Sequence, residues 1–311
     1  MTIAWVTGAR GFIGRHLALH LRDQGLTVCG IGHGHLPVDV WVQAGLAKWS
    51  NSEITAEALA QLATEPGVPD LVFHLAGGSA VGASLDAPLE DFNRTANTTI
   101  RLLDWLRTHA PRSKLLVASS AAVYGDTAGA LAEEARLPAP VSPYGYHKFM
   151  MEQLCHEYSH VFGLETAVLR MFSVYGEGLR KQLLWDCSVK LTAATDSIDL
   201  GGSGEELRDW IHVDDAVAML RLAAQRASVE CPVFNGGSGT AVRVRDIVTM
   251  LSSALRSTAR VEFSGVRRAG DPDALVADTR RIAAAGARCR VPLDVGVQRY
   301  AEWFRRARNE R

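Results

Sequence analysis

Neither sign of charge prevails in this chain: 33 Lys and Arg face 34 Asp and Glu across 311 residues. It therefore lacks both the basic footprint of a nucleic-acid binder and the acidic excess of a solvating tail. No run approaches the ~18 consecutive apolar residues of a membrane-spanning helix. The opening Met1-Thr2-Ile3-Ala4-Trp5-Val6 has no basic region or cleavage site of a signal peptide, so a cytoplasmic location is expected. Cysteine is scarce: Cys29, Cys155, Cys187, Cys231 and Cys289 stand apart with no Cys-x-x-Cys pair. That pattern argues against a disulfide framework or zinc site and for free, buried thiols in a reducing compartment.

What is present is an alternation. Ile3 to Val6, Thr27 to Ile31, Leu71 to Leu75, Leu115 to Ala118 and Thr166 to Leu169 read as buried strands. Ile13 to Gln24, Ala56 to Thr64, Phe92 to Thr108 and Tyr144 to Phe162 read as helices between them. Such alternation builds a parallel sheet with helices on both faces. Beyond residue 172 the pattern loosens around Gly201-Gly202-Ser203-Gly204 and Gly236-Gly237-Ser238-Gly239, which reads as a second, smaller lobe. The run Cys231 to Asn235 is expected to return a strand to the main sheet. The C-terminal arginines (Arg299, Arg305, Arg306, Arg308, Arg311) read as a solvated helix face.

Between the first strand and first helix lies Thr7-Gly8-Ala9-Arg10-Gly11-Phe12-Ile13-Gly14. Gly8 permits a tight turn, Gly11 a close backbone approach to a pyrophosphate, and Gly14 close helix–strand packing. The diphosphate of a dinucleotide would lie over the free N–H groups of the helix. An acid normally follows the second strand and holds the ribose 2′-hydroxyl. Here Gly32-His33-Gly34-His35 stands in its place. Gly32 leaves room for a 2′-phosphate that His33 or Arg10 would contact, so NAD(P) is expected, leaning to NADP. The His-Gly-His run has no carboxylate or thiol nearby to complete a metal site, and none is expected.

Tyr144 and Lys148 sit four residues apart in Ser142-Pro143-Tyr144-Gly145-Tyr146-His147-Lys148, which stacks phenol and ammonium on one helix face. A neighbouring cation lowers a phenol's pKa, which lets the pair move a proton to or from an alcohol or ketone. Ser119 and Ser120 end the fourth strand and offer a further hydrogen bond to the same oxygen.

With the glycine turn, the serine pair and Tyr-x-x-x-Lys in this order, the chain resembles the extended short-chain dehydrogenase/reductase family. Within it, the chain looks like the nucleotide-sugar epimerases and reductases, UDP-galactose 4-epimerases among them. The segments that carry the resemblance are His74 to Gly82, Ser119 to Gly125, Leu169 to Gly176, Arg208 to Asp215 and Arg268 to Asp271. It implies a doubly wound parallel Rossmann sheet over residues 1–172, to which about 209–240 returns, and a smaller C-terminal α/β substrate lobe over 173–311. It further implies catalysis by Ser120, Tyr144 and Lys148. The cofactor would meet Gly8, Gly11, Phe12, Ile13, Gly14, Gly32, His33, Leu75, Ala76, Gly77, Phe172 and Val174, besides Tyr144 and Lys148. A nucleoside-diphosphate sugar (UDP-, dTDP- or GDP-linked) would meet Ser79, Ser119, Ser173, Gln182, Arg208 and Arg268. The family commonly forms homodimers, and Leu102, Leu103, Leu106, Met150, Leu154 and Tyr158 offer either that face or sheet-facing core. The chain departs from the family where Ser173 replaces an asparagine, Glu177 a proline, Ser79 a lysine near the cofactor ribose, and Leu275 a gating residue.

Three reactions share this equipment. A 4,6-dehydratase needs Asp-Glu directly after the active-site hydroxyl residue, where this chain has Ala121 and Ala122. A 4-epimerase, working through a 4-keto intermediate, fits the 74–82 loop and the Ser-Ala-Ala segment, and is the expected activity. A 4-keto-6-deoxy-sugar reductase using NADPH is the alternative that Gly32 favours. A non-catalytic NADP(H)-sensing protein is the remote reading, disfavoured because Tyr144, Lys148 and Ser120 all remain.

Overall fold

Short β-branched and aliphatic runs become the buried strands of a parallel sheet because both faces are covered by helices, so no polar alternation is needed. The computed structural model describes residues 1–126, 130–133, 140–266 and 272–309. The elements run β1 (Ile3–Thr7), α1 (Phe12–Asp23), β2 (Thr27–Gly32), α2 (Val38–Gln43), β3 (Lys48–Asn51), α3 (Ala56–Ala63), β4 (Leu71–His74), α4 (Val81–Asp86) and α5 (Pro88–Phe92). A π-helical turn (Asn93–Asn97) then leads into α6 (Thr98–His109), followed by β5 (Lys114–Ser120), a 3₁₀ turn (Ala121–Tyr124), β6 (Ala130–Leu131), α7 (Pro143–Phe162), β7 (Glu165–Met171), β8 (Ser173–Tyr175) and α8 (Gln182–Ala193). Last come β9 (Ser197–Leu200), β10 (Leu207–His212), α9 (Val213–Gln225), β11 (Val233–Gly236), β12 (Ala241–Arg243), α10 (Val244–Leu255), β13 (Arg260–Phe263), β14 (Ala274–Ala277), α11 (Arg280–Ala284) and α12 (Leu293–Asn309).

The main sheet has seven strands in the order β11-β7-β5-β4-β1-β2-β3, all parallel. The chain winds from β1 toward β3 and then reverses to β4 on the other side of β1. That reversal parts the loops after β1 and β4, and ligands bind at the crevice it opens. β3 is absent from the strands expected above: Lys-Trp-Ser-Asn carries no apolar run, and only its pairing with β2 makes it a strand. The single helix expected over 92–108 is interrupted by the π turn. β10 joins a second sheet in the order β12-β10-β14-β6, with β8 also on β10, while β9 and β13 form a separate pair.

Leu102, Leu103, Leu106 and Tyr158 are buried in the core beneath α6 and α7, so of the six residues offered for a subunit face only Met150 is exposed and Leu154 partly so. Four cysteines are buried; Cys289 is exposed. No helix among the described residues is long and apolar enough to cross a membrane.

The N-terminal half of α12 meets the loop after β8 through charge. Arg299, expected on a solvated face, instead grips Glu177 at 2.7 Å and Asp214 at 2.9 Å with its guanidinium. Glu177 also bonds His212 Nε2 at 3.0 Å, and its carbonyl lies 2.8 Å from His16 Nε2 on α1. Burial pushes the Glu177 carboxyl up, but His212, its own backbone N–H and Arg299 outweigh that and hold it at about 2. A depressed folded pKa stabilises the protein above the unfolded value and is lost as pH falls through the folded one. Glu177→Gln is expected to cost about 1–2 kcal/mol at neutral pH: each tenfold weakening of proton affinity is worth about 1.4 kcal/mol, and solvent screening of this half-buried group reduces the sum. Between pH ~4.5 and ~2 the variant should lose less further stability than the wild type. Denaturant midpoints measured across that range check it; parallel curves would refute the assignment.

Candidate active site

The loop after β1 shows why the first glycine is needed. Gly8 has φ +68°, and a Cβ there would come within 3.1 Å of the Ala76 backbone on the loop after β4. At Gly14 a Cβ would meet Ala9 Cα at 2.8 Å. Gly11 caps α1 in extended conformation with no side chain accepting from the first turn, whose N–H groups remain open to an anion. The β4 loop is braced from below: Thr7 Oγ1 accepts from Leu75 N and Ala76 N and lies 2.8 Å from His74 Nδ1. His74 Nε2 reaches Thr99 Oγ1 at 3.0 Å, and Thr95 Oγ1 accepts from Gly78 N at 2.9 Å. Burial and the nearby Lys148 charge hold the His74 imidazole near 3, so it is neutral. Thr95 lies in the π turn at 93–97, and such bulges are frequent at functional sites.

On the opposite wall Ser142 Oγ accepts from Gly145 N and Pro143 occupies the first helical position, which fixes the start of α7. Tyr144 then lies in the first turn and Lys148 one turn later. Lys148, 4% exposed, donates to the Ala118 carbonyl at 2.8 Å, and its Nζ lies 5.9 Å from the Tyr144 ring. Burial pulls the Lys148 ammonium down to about 8, against the pull of Asp91 and Glu152. The phenol departs from expectation. Burial raises the Tyr144 pKa, a hydrogen bond to Ser120 opposes this, and the Asp91 charge adds to the rise. Desolvation of the phenolate outweighs the hydrogen bond that favours it.

These walls enclose a cleft of about 1800 Å³. Along it the fold gathers Gly8, Gly11, Phe12, Ile13, Gly14, Gly32, His33, Leu75, Ala76, Gly77, Ser79, Ser119, Ser120, Tyr144, Lys148, Phe172, Ser173, Val174, Gln182 and Arg208. Arg268 lies outside the described residues. Ser119, expected to meet substrate, directs its hydroxyl inward to Glu152 at 2.5 Å. The sequence reading missed Ser52, Glu53 and Ile54, which line the cleft beside Gly32 just past β3. It also missed Arg94, Arg101, Lys181 and Lys190 on the cleft wall. Among the described residues no cluster of three or more His, Cys, Asp or Glu is arranged for a metal ion.

Two details concern the adenosine end. A Cβ on Gly32 would meet the Trp49 ring at 3.2 Å, so tight packing on β3, rather than room for a 2′-phosphate, accounts for this glycine. Arg10 donates to the His33 carbonyl at 3.3 Å, and Trp49 Nε1 to that of Gly34 at 3.2 Å. The uncapped helix terminus, the glycine cradle and the volume of the cleft fit a nicotinamide dinucleotide.

The sequence model described as the NAD dependent epimerase/dehydratase family matches residues 4–237. An uncharacterized UDP-glucose epimerase, YtcB, of Bacillus subtilis is 29% identical over 88% of each chain. A probable UDP-glucuronate 4-epimerase of Rhizobium meliloti is 27% identical over 96% of each. Among solved structures, MoeE5 in complex with UDP-glucuronic acid and NAD superposes with a TM-score of 0.86 at 30% identity, covering 98% of this chain and 99% of that one. UDP-glucuronic acid 4-epimerase from Bacillus cereus, in complex with UDP-glucuronic acid and NAD, gives 0.86 at 25% identity over 98% and 100%. The glycine cradle, the α7 wall and a match over most of the length lead to one conclusion: the chain belongs to the NAD dependent epimerase/dehydratase family.

Proposed function

We propose that the protein inverts the C4 hydroxyl of a UDP-sugar, with Ser120, Tyr144 and Lys148 as its catalytic residues. The observation that carries this is the convergence of those three side chains on one cleft whose other end is the glycine cradle. Hydride acceptance and return are the chemistry that a bound nicotinamide supplies. As the phenolate, Tyr144 takes the proton of the sugar hydroxyl as that carbon is oxidised, and as the resulting phenol it gives the proton back when the ketone is reduced from the other face. Ser120, hydrogen-bonded to Tyr144, orients the reacting oxygen. Lys148 holds a positive charge beside the phenol and offers it to the nicotinamide ribose. Arg208, 9% exposed on the cleft wall, supplies a planar fork for the sugar diphosphate. Gly8, Gly11 and Gly14 let the cofactor diphosphate reach the α1 N–H groups.

In this reading 1–172 with 209–240 forms the cofactor half and the rest of 173–311 the substrate lobe. Ala121 and Ala122 leave a dehydratase without its second acid and base. A homodimer formed through exposed residues of α6 and α7, such as Ile100, Met150 and Phe162, agrees with the family habit.

At the adenosine end, β2 closes without a carboxylate and Arg10 is pinned over the following turn, which supports NADP. That same feature favours the second reading, a 4-keto-sugar reductase. One experiment separates them: the cofactor released on denaturation is identified by mass, and the protein is incubated with UDP-, dTDP- and GDP-sugars. A C4 epimer formed without net cofactor change is expected, with UDP-sugars preferred. Stoichiometric NADPH loss with a 4-keto-sugar would establish the reductase instead, and NAD alone in the released fraction would refute the NADP preference.

A further inference from the structure

Asp91 is a buried carboxylate with no direct part in proton transfer at Tyr144, yet it lies between α7 and the loop after β4. It is 6% exposed near the end of α5, which packs against α7. Its Oδ2 lies 2.7 Å from His147 Nδ1, and His147 immediately precedes Lys148. Its other side abuts the loop after β4: a Cβ on Gly78 would come within 2.8 Å of Asp91 Cγ, so only glycine admits the carboxylate there. Phe92 closes the pair from outside, its ring edge-on to His147 with centroids 5.5 Å apart.

We propose that Asp91, anchored by His147, is a positioning residue that sets the electrostatic field in which Tyr144 and Lys148 work. The inference rests on the function proposed above. Burial pulls the Lys148 ammonium toward losing its proton, and Asp91 is the foremost group opposing that, ahead of Glu152. The same anion makes the phenol hold its proton more tightly. One anion thus acts on both groups, favouring the protonated form of Lys148 and of Tyr144 alike.

The other charges near the pair are already engaged or neutral. Glu90 and Arg94 face each other at the surface. Glu152 of α7 is held by Arg170 of β7. His74 of β4 is neutral, and Asp86 of α4 is exposed. Asp91, held by His147, acts on Tyr144 and Lys148 from the cofactor-loop side.

Asp91→Asn keeps the shape and removes the charge. Two readouts are compared with wild type: the pH profile of kcat on the UDP-sugar turned over, and the pH titration of the phenolate absorbance that Tyr144→Phe abolishes. Both are expected to move to lower pH by about half a unit or more, since removing a like charge favours the phenolate and disfavours the ammonium. His147→Lys sets a fixed cation against Asp91 and should shift them the same way, which keeps the test open if Asp91→Asn does not fold. A phenolate titration unmoved in the folded variants overturns the proposal even if turnover falls, because a purely structural lesion lowers rate without moving a pKa. Absence of turnover in the wild type would defeat the function itself, and the phenolate titration, which needs no substrate, would still decide the role of Asp91.

Discussion

Tyr144→Phe is expected to lower kcat by about 10²- to 10⁴-fold, the range that general acid–base groups contribute. Nucleotide cofactor should be retained at close to wild-type occupancy. The change removes one oxygen, hydrogen-bonded to Ser120, and leaves the α7 N-cap at Ser142 and the Lys148 bond to Ala118 in place. A drop in kcat with little change in KM marks an interaction made only in the transition state. Steady-state turnover together with cofactor released from equal amounts of folded protein tests this. Activity within a few-fold of wild type would remove Tyr144 as the proton carrier and, with it, the reason for Ser120 and Lys148 to converge there.

Glu152→Ala should be the most destabilising single change at the site, by about 3–5 kcal/mol, the usual cost of leaving a buried charge without its partner. Glu152 is 1% exposed, one turn beyond Lys148 on α7. It accepts two bonds from Arg170, at 3.0 and 2.7 Å, and one from the Ser119 hydroxyl. Arg170 is 3% exposed, and its guanidinium also stacks over the Tyr124 ring at 4.8 Å. Burial works against that charge, but Glu152 outweighs it and holds the guanidinium firmly protonated. Removing both charges together, as in Glu152→Ala with Arg170→Met, should cost less than the sum of the single changes, because the orphaned ion disappears. Denaturation midpoints for the two single variants and the double variant decide it; strict additivity would show that the pair is not coupled. Since this pair also ties β5 to α7 through Ser119, the single variant should lower turnover along with stability.

Much of this was legible in the chain because the relevant constraints are local. The glycines after β1 answer to a turn and a helix start a few residues long. The Tyr-x-x-x-Lys spacing is a property of one helix turn, and Ser142-Pro143 announces where that helix begins. Elements whose stability comes from pairing were not legible: β3 has no apolar run, and the π turn leaves no pattern in Asn-Arg-Thr-Ala-Asn. Local reasoning misjudged several roles for the same reason. Gly32 looked like space for a phosphate until Trp49 from the next strand was seen against it. Ser119 looked like a substrate ligand until its hydroxyl was found on Glu152. Arg299 looked solvated until Glu177 and Asp214 met it from other elements.

By itself the sequence determined the alternation that makes a doubly wound sheet, the cradle of Gly8, Gly11 and Gly14, and the three residues offered for proton transfer. Each depends on backbone geometry or on spacing along one segment, which residue types fix directly. The tertiary structure alone decided which charges those residues feel. Asp91 and Glu152 reach Lys148 from separate elements, and burial shifts the ionisation of both Tyr144 and Lys148. Electrostatic energy depends on distance and on exclusion of water, and both are set only when the chain has folded.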